Sequence, residues 1–164
     1  EYDVNNRFFN PDLAGGALLD IGVYAVSFAR WFMSSKPNTV LTTMTPFETG
    51  VDESSGILLQ NKEMEIATIS LTMRAKQPKR GLVACENGYI EIYNFPRADK
   101  ATITYTSDGH TEEIVCGESS LALNYEIRDM EEYVSSLNGQ TNLQCIQDVM
   151  DVLTQVQKAW GKYE

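Results

Sequence analysis

A single histidine occurs among the 164 residues, so no multi-histidine metal site is expected. Cysteine is nearly as scarce. Cys85, Cys116 and Cys145 are odd in number, far apart and never in a CxxC pair, which argues against both a zinc knuckle and a disulfide framework. Reduced thiols in a cytoplasmic protein are the simpler expectation. Basic residues are in deficit, 13 Lys and Arg against 23 Asp and Glu, for a net charge of -10. A field of that sign repels phosphate backbones, so nucleic acid is not an expected partner. No unbroken apolar run approaches the roughly 18 residues of a membrane helix, so no membrane partner is expected either. There is no GxGxxG after a strand, and the repeated strand–helix units of a dinucleotide fold are missing. The chain opens Glu1-Tyr2-Asp3 without Met or a signal-peptide pattern, and reads as an excised or processed piece.

What is present is ordinary globular material. Hydrophobic residues make up 43% and charged residues 22%, enough for one domain with a real core. Gly15-Gly16 precede a helix predicted over Ala17 to Phe32, with Leu18, Ile21, Ala25, Phe28, Ala29 and Phe32 on its apolar face. Ser34 to Pro37 end it. Strands are predicted at 39–47, 55–61, 65–74, 81–86, 89–93, 101–106 and 112–116. Within 65–74, Ala67, Ile69, Leu71 and Met73 alternate with Thr68, Ser70, Thr72 and Arg74. Asn87-Gly88 and Asp108-Gly109 are read as hairpin turns. Two helices follow, with apolar stripes Leu123, Ile127, Met130, Val134, Leu137 and Leu143, Ile146, Met150, Leu153, Val156. Gly139 is placed as a C-cap between them, and Thr141 or Asn142 as the next N-cap. Grouped strands imply an α+β fold: a mainly antiparallel, open-faced sheet of about six strands with helices on one face. The other face, rich in Thr, Ser and Tyr, is left open.

Chemistry concentrates in one helix. Gly16, Asp20 and Tyr24 are four residues apart and share a helix face. Asp20 interrupts an apolar stretch, where an unpaired carboxylate is costly. Gly22 costs up to about 1 kcal/mol relative to Ala inside a helix and permits close approach of another backbone or a ligand. Asp20 and Tyr24 together offer an acceptor and a phenolic donor to one small polar molecule. A phenol needs a nearby cation to move protons near neutrality. The N–H groups of Gly15 and Gly16 could meet an anion. The plainer alternatives stay open. Asp20 also fits a first-turn carboxylate favoured by the helix dipole, and Tyr24 a half-buried aromatic. His110 fits an exposed hairpin residue. Glu126, Asp129, Glu131 and Glu132 fit a solvated helix face. Trp31 and Trp160 are read as packing residues.

Arg7-Phe8-Phe9-Asn10-Pro11 followed by Leu13-Ala14-Gly15-Gly16-Ala17-Leu18-Leu19-Asp20-Ile21-Gly22-Val23-Tyr24 resembles the start of the C-terminal domain in the glucose–fructose oxidoreductase / inositol dehydrogenase / MocA (Gfo/Idh/MocA) family. Tyr in the last position resembles the branch of dimeric dihydrodiol dehydrogenase and glucose–fructose oxidoreductase more than that of inositol dehydrogenase, where a His is usual. The resemblance continues at Val83 to Ile92, Asn124 to Asp129 and Asn138-Gly139. It implies a glyceraldehyde-3-phosphate dehydrogenase-like C-terminal domain over residues 1–164, serving substrate binding and oligomerisation. It also implies an N-terminal Rossmann domain outside this chain. That domain would bind NAD or NADP and supply a Lys from a Glu-Lys-Pro motif, which this chain lacks. Tyr24 would then exchange the substrate hydroxyl proton, and Asp20 would bind or orient the substrate. Arg7 would contact substrate or cofactor, or else form a surface salt bridge. Hydride would pass between nicotinamide and a sugar, polyol or cyclic alcohol. The isolated chain is expected to be inactive, and a homo-oligomer through the open sheet face is the implied assembly. The competing expectation is a non-catalytic sheet module for self-association or partner binding.

Overall fold

The computed structural model describes residues 3–136 and 140–162. Two 3-10 turns, Arg7–Phe9 and Pro11–Leu13, lead into a π-helical turn, Leu18–Gly22, which runs on as helix α1, Val23–Phe32. The helix stops at Met33, whose backbone is extended just before the predicted Ser34 to Pro37 boundary. The 22-residue segment Pro11–Phe32 contains an 18-residue window with a mean hydropathy of 1.3, enough by length and composition alone to cross a membrane. No unbroken apolar run reaches that length, because Asp20 and Arg30 interrupt the segment. In the fold, this segment places Leu18 and Val26 in a protein core.

The chain divides into two compact units, residues 1–77 with 142–164, and residues 78–141. In the first, β1 (Pro37–Pro46), β2 (Asp52–Asn61) and β3 (Ile66–Thr72) form an antiparallel sheet with β2 in the middle. The register sets Leu41 beside Leu58 and Leu58 beside Thr68. Ile57, Leu59 and Leu71 face the helices, where Ala17, Leu18 and Val26 meet Val149, Val152, Leu153 and Val156 of helix α3 (Gln140–Ala159). Ala67, Ile69 and Met73 pack against the same core, as the alternation in that strand requires. The opposite face is open, with Thr39, Leu41, Thr43, Thr45, Thr68 and Ser70 exposed.

The core stripe of α3 differs from the predicted one. Leu153 and Val156 are buried, but Leu143, Ile146 and Met150 are exposed. Asp148 pins the rotation: its Oδ2 accepts from Arg30 Nε at 2.8 Å and its Oδ1 from Gln144 Nε2 at 3.0 Å. That turns Val149 and Val152 inward instead. Helix α3 begins at Gln140, so Asn142 lies inside it and is not the N-cap. Leu137, Asn138, Gly139 and the Thr141 side chain lie outside the described residues.

The second unit is a four-stranded antiparallel meander, β4 (Arg80–Cys85), β5 (Gly88–Tyr93), β6 (Lys100–Tyr105) and β7 (Thr111–Val115), followed by helix α2 (Ala122–Ser136). Asp108-Gly109 turn as predicted. Gly88 does something else: it lies in β5, paired with Cys85 and Tyr105, where a Cβ would strike the Thr104 carbonyl. The β4–β5 turn is Glu86-Asn87. Helix α2 buries none of its residues. Leu123, Ile127, Met130 and Val134 are exposed, and so are the four acids expected to be solvated.

The fold is α+β with antiparallel strands, as the sequence implies. The single sheet of about six strands is instead two sheets, of three and four strands. Strand counting cannot say which edges pair. Between β3 and β4 the chain runs through Pro78, which has no N–H to extend a ladder.

Candidate active site

Arg7 is presented by a short, well-anchored turn. The Asn6 side chain accepts the Phe8 N–H at 3.1 Å. Phe9 is buried, with its ring 4.6 Å from that of Phe47, and its carbonyl accepts from Thr49 Oγ1 at 2.6 Å. The Arg7 guanidinium lies 4.4 Å over the Phe8 ring and donates to Asp20 Oδ1 at 2.8 Å. The side chains are 65% and 25% exposed, so the pair adds at most about 1 kcal/mol to stability. Its main effect is on orientation. It holds one carboxylate oxygen of Asp20, while the other has no hydrogen-bond partner among the described residues.

Asp20 sits inside the π-helical turn Leu18–Gly22. Such wide turns inside helices recur at functional positions. Gly22 is buried, and a Cβ there would come within 2.9 Å of Leu71 Cδ1. Close approach of β3 is therefore what this glycine allows. Tyr24 follows at the start of α1, is 51% exposed, and its hydroxyl has no partner among the described residues. Helical spacing singled out Asp20 and Tyr24, and the family resemblance added Arg7. The fold pairs Arg7 with Asp20 and leaves Tyr24 open to a ligand.

Gly15 and Gly16 have a different role from the predicted anion contact. The Gly15 N–H donates to Asn10 O at 3.0 Å and the Gly16 N–H to Phe8 O at 2.9 Å. Neither is left free for a ligand. A Cβ on Gly15 would lie 2.7 Å from Phe8 O, so this glycine lets the Arg7 turn pack against the helix start.

One residue of this region escaped the sequence reading. Asp52 is buried, and its Oδ2 accepts the Leu18 N–H at 2.7 Å. Burial pushes its carboxyl above the usual value, against the Leu18 N–H and the Lys162 ammonium, which lower it. β2 was predicted to start at Ser55, so Asp52 and Glu53 fell outside the predicted strand. Glu53 is buried too and pairs with Arg74 at 2.9 Å. No local pattern distinguishes such acids from solvated ones.

The remaining candidates resolve simply. His110 is exposed at its hairpin, 2.5 Å from Asp108 Oδ1 and stacked on Tyr105. Trp160 packs against the first unit's core and donates to Thr42 Oγ1 at 3.2 Å. Trp31 is exposed and lines a shallow groove with Ser27, Cys145, Ile146 and Val149, none of them a site residue. All three cysteines are free.

The description "GFO/IDH/MocA C-terminal domain" matches residues 2–91, from before Arg7 to within β5. The chain belongs to the Gfo/Idh/MocA oxidoreductase family. Over 126 residues it is 32% identical to trans-1,2-dihydrobenzene-1,2-diol dehydrogenase of Xenopus laevis, covering 73% of this chain and 38% of that protein. Over 103 residues it is 30% identical to D-xylose 1-dehydrogenase (NADP(+)) 2 of Haloferax volcanii, covering 61% of this chain and 32% of that one. The chain thus spans only about a third of the length of these relatives. A 3-ketoreductase from Actinomadura kijaniata, solved with NADP and TDP-benzene, matches in fold with a TM-score of 0.71 at 20% identity, over 95% of this chain and 48% of that one.

Proposed function

We propose that this chain is the substrate-side domain of an NAD(P)-dependent oxidoreductase that oxidises or reduces a sugar, polyol or cyclic alcohol. The observation that carries the reading is the Arg7–Asp20 pair on a π-helical turn, with the unpartnered Tyr24 hydroxyl following it. The relatives named for dihydrodiol and xylose oxidation support the substrate class.

Among the described residues there is no dinucleotide platform. Both sheets are antiparallel, and no Gly-rich loop joins a strand to a helix. The nicotinamide therefore belongs to a Rossmann domain elsewhere in the parent protein, which would supply the hydride partner. Tyr24 holds and exchanges the proton at the substrate oxygen. Asp20 accepts a hydrogen bond from a neighbouring substrate hydroxyl through the oxygen that Arg7 leaves free. Arg7 fixes the rotamer of Asp20 and contacts the substrate with its remaining donors. The open Thr-rich face of β1–β3 is the surface through which two copies would associate, and a monomeric mass for the parent protein in light scattering would remove that part. A purely structural sheet module leaves the placement of Arg7, Asp20 and Tyr24 unexplained.

Tyr24→Phe in the parent protein should lower kcat about 100-fold or more, while the Kd for the nicotinamide stays within about twofold. Unchanged turnover would remove Tyr24 from the chemistry. The isolated chain should bind neither NAD nor NADP in calorimetry, and tight binding would overturn the domain assignment.

A further inference from the structure

The site helix has no cap of its own. The first N–H groups of a helix lack intrahelical partners, and a Ser, Thr, Asp or Asn just before the first turn normally accepts one. Here the preceding residues are Ala14-Gly15-Gly16-Ala17, and none carries a side-chain acceptor. The acceptor comes from a strand 34 residues away: Asp52 Oδ2 takes the Leu18 N–H at 2.7 Å. Gly16 makes room for it. With φ at +115°, it occupies a region that disfavours side chains, and a Cβ there would collide with Asp52 Oδ1. The carbonyl of the same glycine accepts the Asp20 N–H at 3.2 Å. One residue therefore touches Asp52 on one side and the Asp20 backbone on the other.

The far end of the chain closes the arrangement. Lys162 Nζ lies 3.6 Å from Asp52 Oδ1. Its backbone N–H donates to Gln157 O at 3.0 Å, and its ammonium sits 5.7 Å from the Trp160 ring centroid. Trp160 in turn is tied to Thr42. A buried carboxyl costs desolvation that an apolar seam would avoid. Supplying that carboxyl with both a backbone donor and a cation makes sense if the position of the helix start matters.

We propose that Asp52, backed by Lys162, is a positioning residue for the site: it holds the first turn of the helix so that Asp20 and Tyr24 project at the right depth and register. The inference rests on the assignment of Asp20 and Tyr24 above. Without the clamp the turn frays, and a misplacement of about 1 Å at a reacting group can cost on the order of 100-fold in rate.

The test compares Asp52→Ala with Asp52→Asn, which keeps an acceptor oxygen, in the full-length protein that carries this chain. Site-resolved hydrogen exchange and steady-state kinetics are read on the same samples. In Asp52→Ala, exchange at residues 18–22 should rise about tenfold or more while 57–59 in β2 stay protected. Its kcat should fall about ten- to 100-fold with the nicotinamide KM unchanged. Asp52→Asn should return both readouts to within about threefold of wild type. If Asp52→Ala does not fold, Lys162→Met carries the test, with a smaller rise confined to the same residues and a smaller fall in kcat.

Unchanged exchange at 18–22, exchange raised equally across β2, or no rescue by Asn would each overturn the proposal. So would raised exchange with undiminished kcat. If the wild-type protein has no dehydrogenase activity, the functional reading fails by itself. The clamp is then judged by exchange alone, where local loosening with Asn rescue upholds it and any other pattern overturns it.

Discussion

Leu59, on the middle strand of the first unit, has 0% exposure beneath α1 and α3. Ile127, in the middle of the apolar stripe of α2 in the second unit, is 63% exposed. Both residues belong to well-patterned elements. The first unit closes a core between a sheet and two helices, and the candidate site is built on one of those helices. The second unit completes its strand ladders, yet only Gly81 and Gly88 are buried in it among the described residues. The difference teaches that amphipathic spacing makes a helix without guaranteeing a surface for it to cover. The site lies where the core is closed, as expected if holding Asp20 and Tyr24 requires a rigid support.

The largest effect expected from this contrast is in packing. Leu59→Ala should cost about 2–5 kcal/mol of stability by the loss of buried contacts and the cavity left behind. Ile127→Ala should stay within about 0.5 kcal/mol. Denaturant unfolding of both variants measures this, and an equal cost would mean that the α2 stripe is covered. Next comes backbone geometry. Gly16→Ala should cost about 2–3 kcal/mol, because strain at positive φ adds to displacement of Asp52. Gly109→Ala, at φ +76° with open space around it, should cost about 1–2 kcal/mol from conformation alone. Thermal melts that rank the two the other way would separate Gly16 from Asp52.

Surface ion pairs should hardly separate the units in stability. Arg7→Ala and Lys100→Ala, which break the Asp20 and Glu113 pairs, should each change stability by less than about 1 kcal/mol. Only Arg7→Ala should lower turnover of the parent protein, and equal kcat in the two variants would detach Arg7 from the site. The smallest difference is in pH dependence. Burial raises the Asp52 carboxyl, so its contribution is full below its unfolded value and is lost as pH rises through the folded one. Asp52→Asn should therefore gain on wild type as pH increases across the acid range. The His110 backbone N–H, then its ring, holds Asp108 below the usual value, so that contribution is present above the unfolded value and lost as pH falls. Asp108→Asn should cost more at neutral pH than in acid. Urea midpoints collected against pH would show opposite slopes, and slopes of the same sign would contradict one of the two environments.

Much of this was legible in the residues. The order of elements, the alternation in β3, the Asp108-Gly109 hairpin and the helix carrying Asp20 and Tyr24 all follow from spacing and turn chemistry. The Arg7 to Tyr24 block also pointed to the family, which the match over residues 2–91 establishes. Less legible was what each element meets. The α3 stripe was misjudged because a part-buried Arg30–Asp148 pair decides its rotation. Gly15 and Gly16 suggested an anion site, but the amides are taken by the Asn10 and Phe8 carbonyls. Trp31 was read as a packing residue and is exposed.

The sequence by itself determined the local conformations, the α+β class and the residue types available for chemistry, because periodicity, caps and turns act over a few residues. Only the tertiary structure decided that Arg7 meets Asp20, that seven strands split into two sheets, and that Asp52 caps a helix 34 residues before it. Those outcomes depend on which distant surfaces come together, and on whether a buried acid finds a donor and a cation there. Neither leaves a mark in the local pattern.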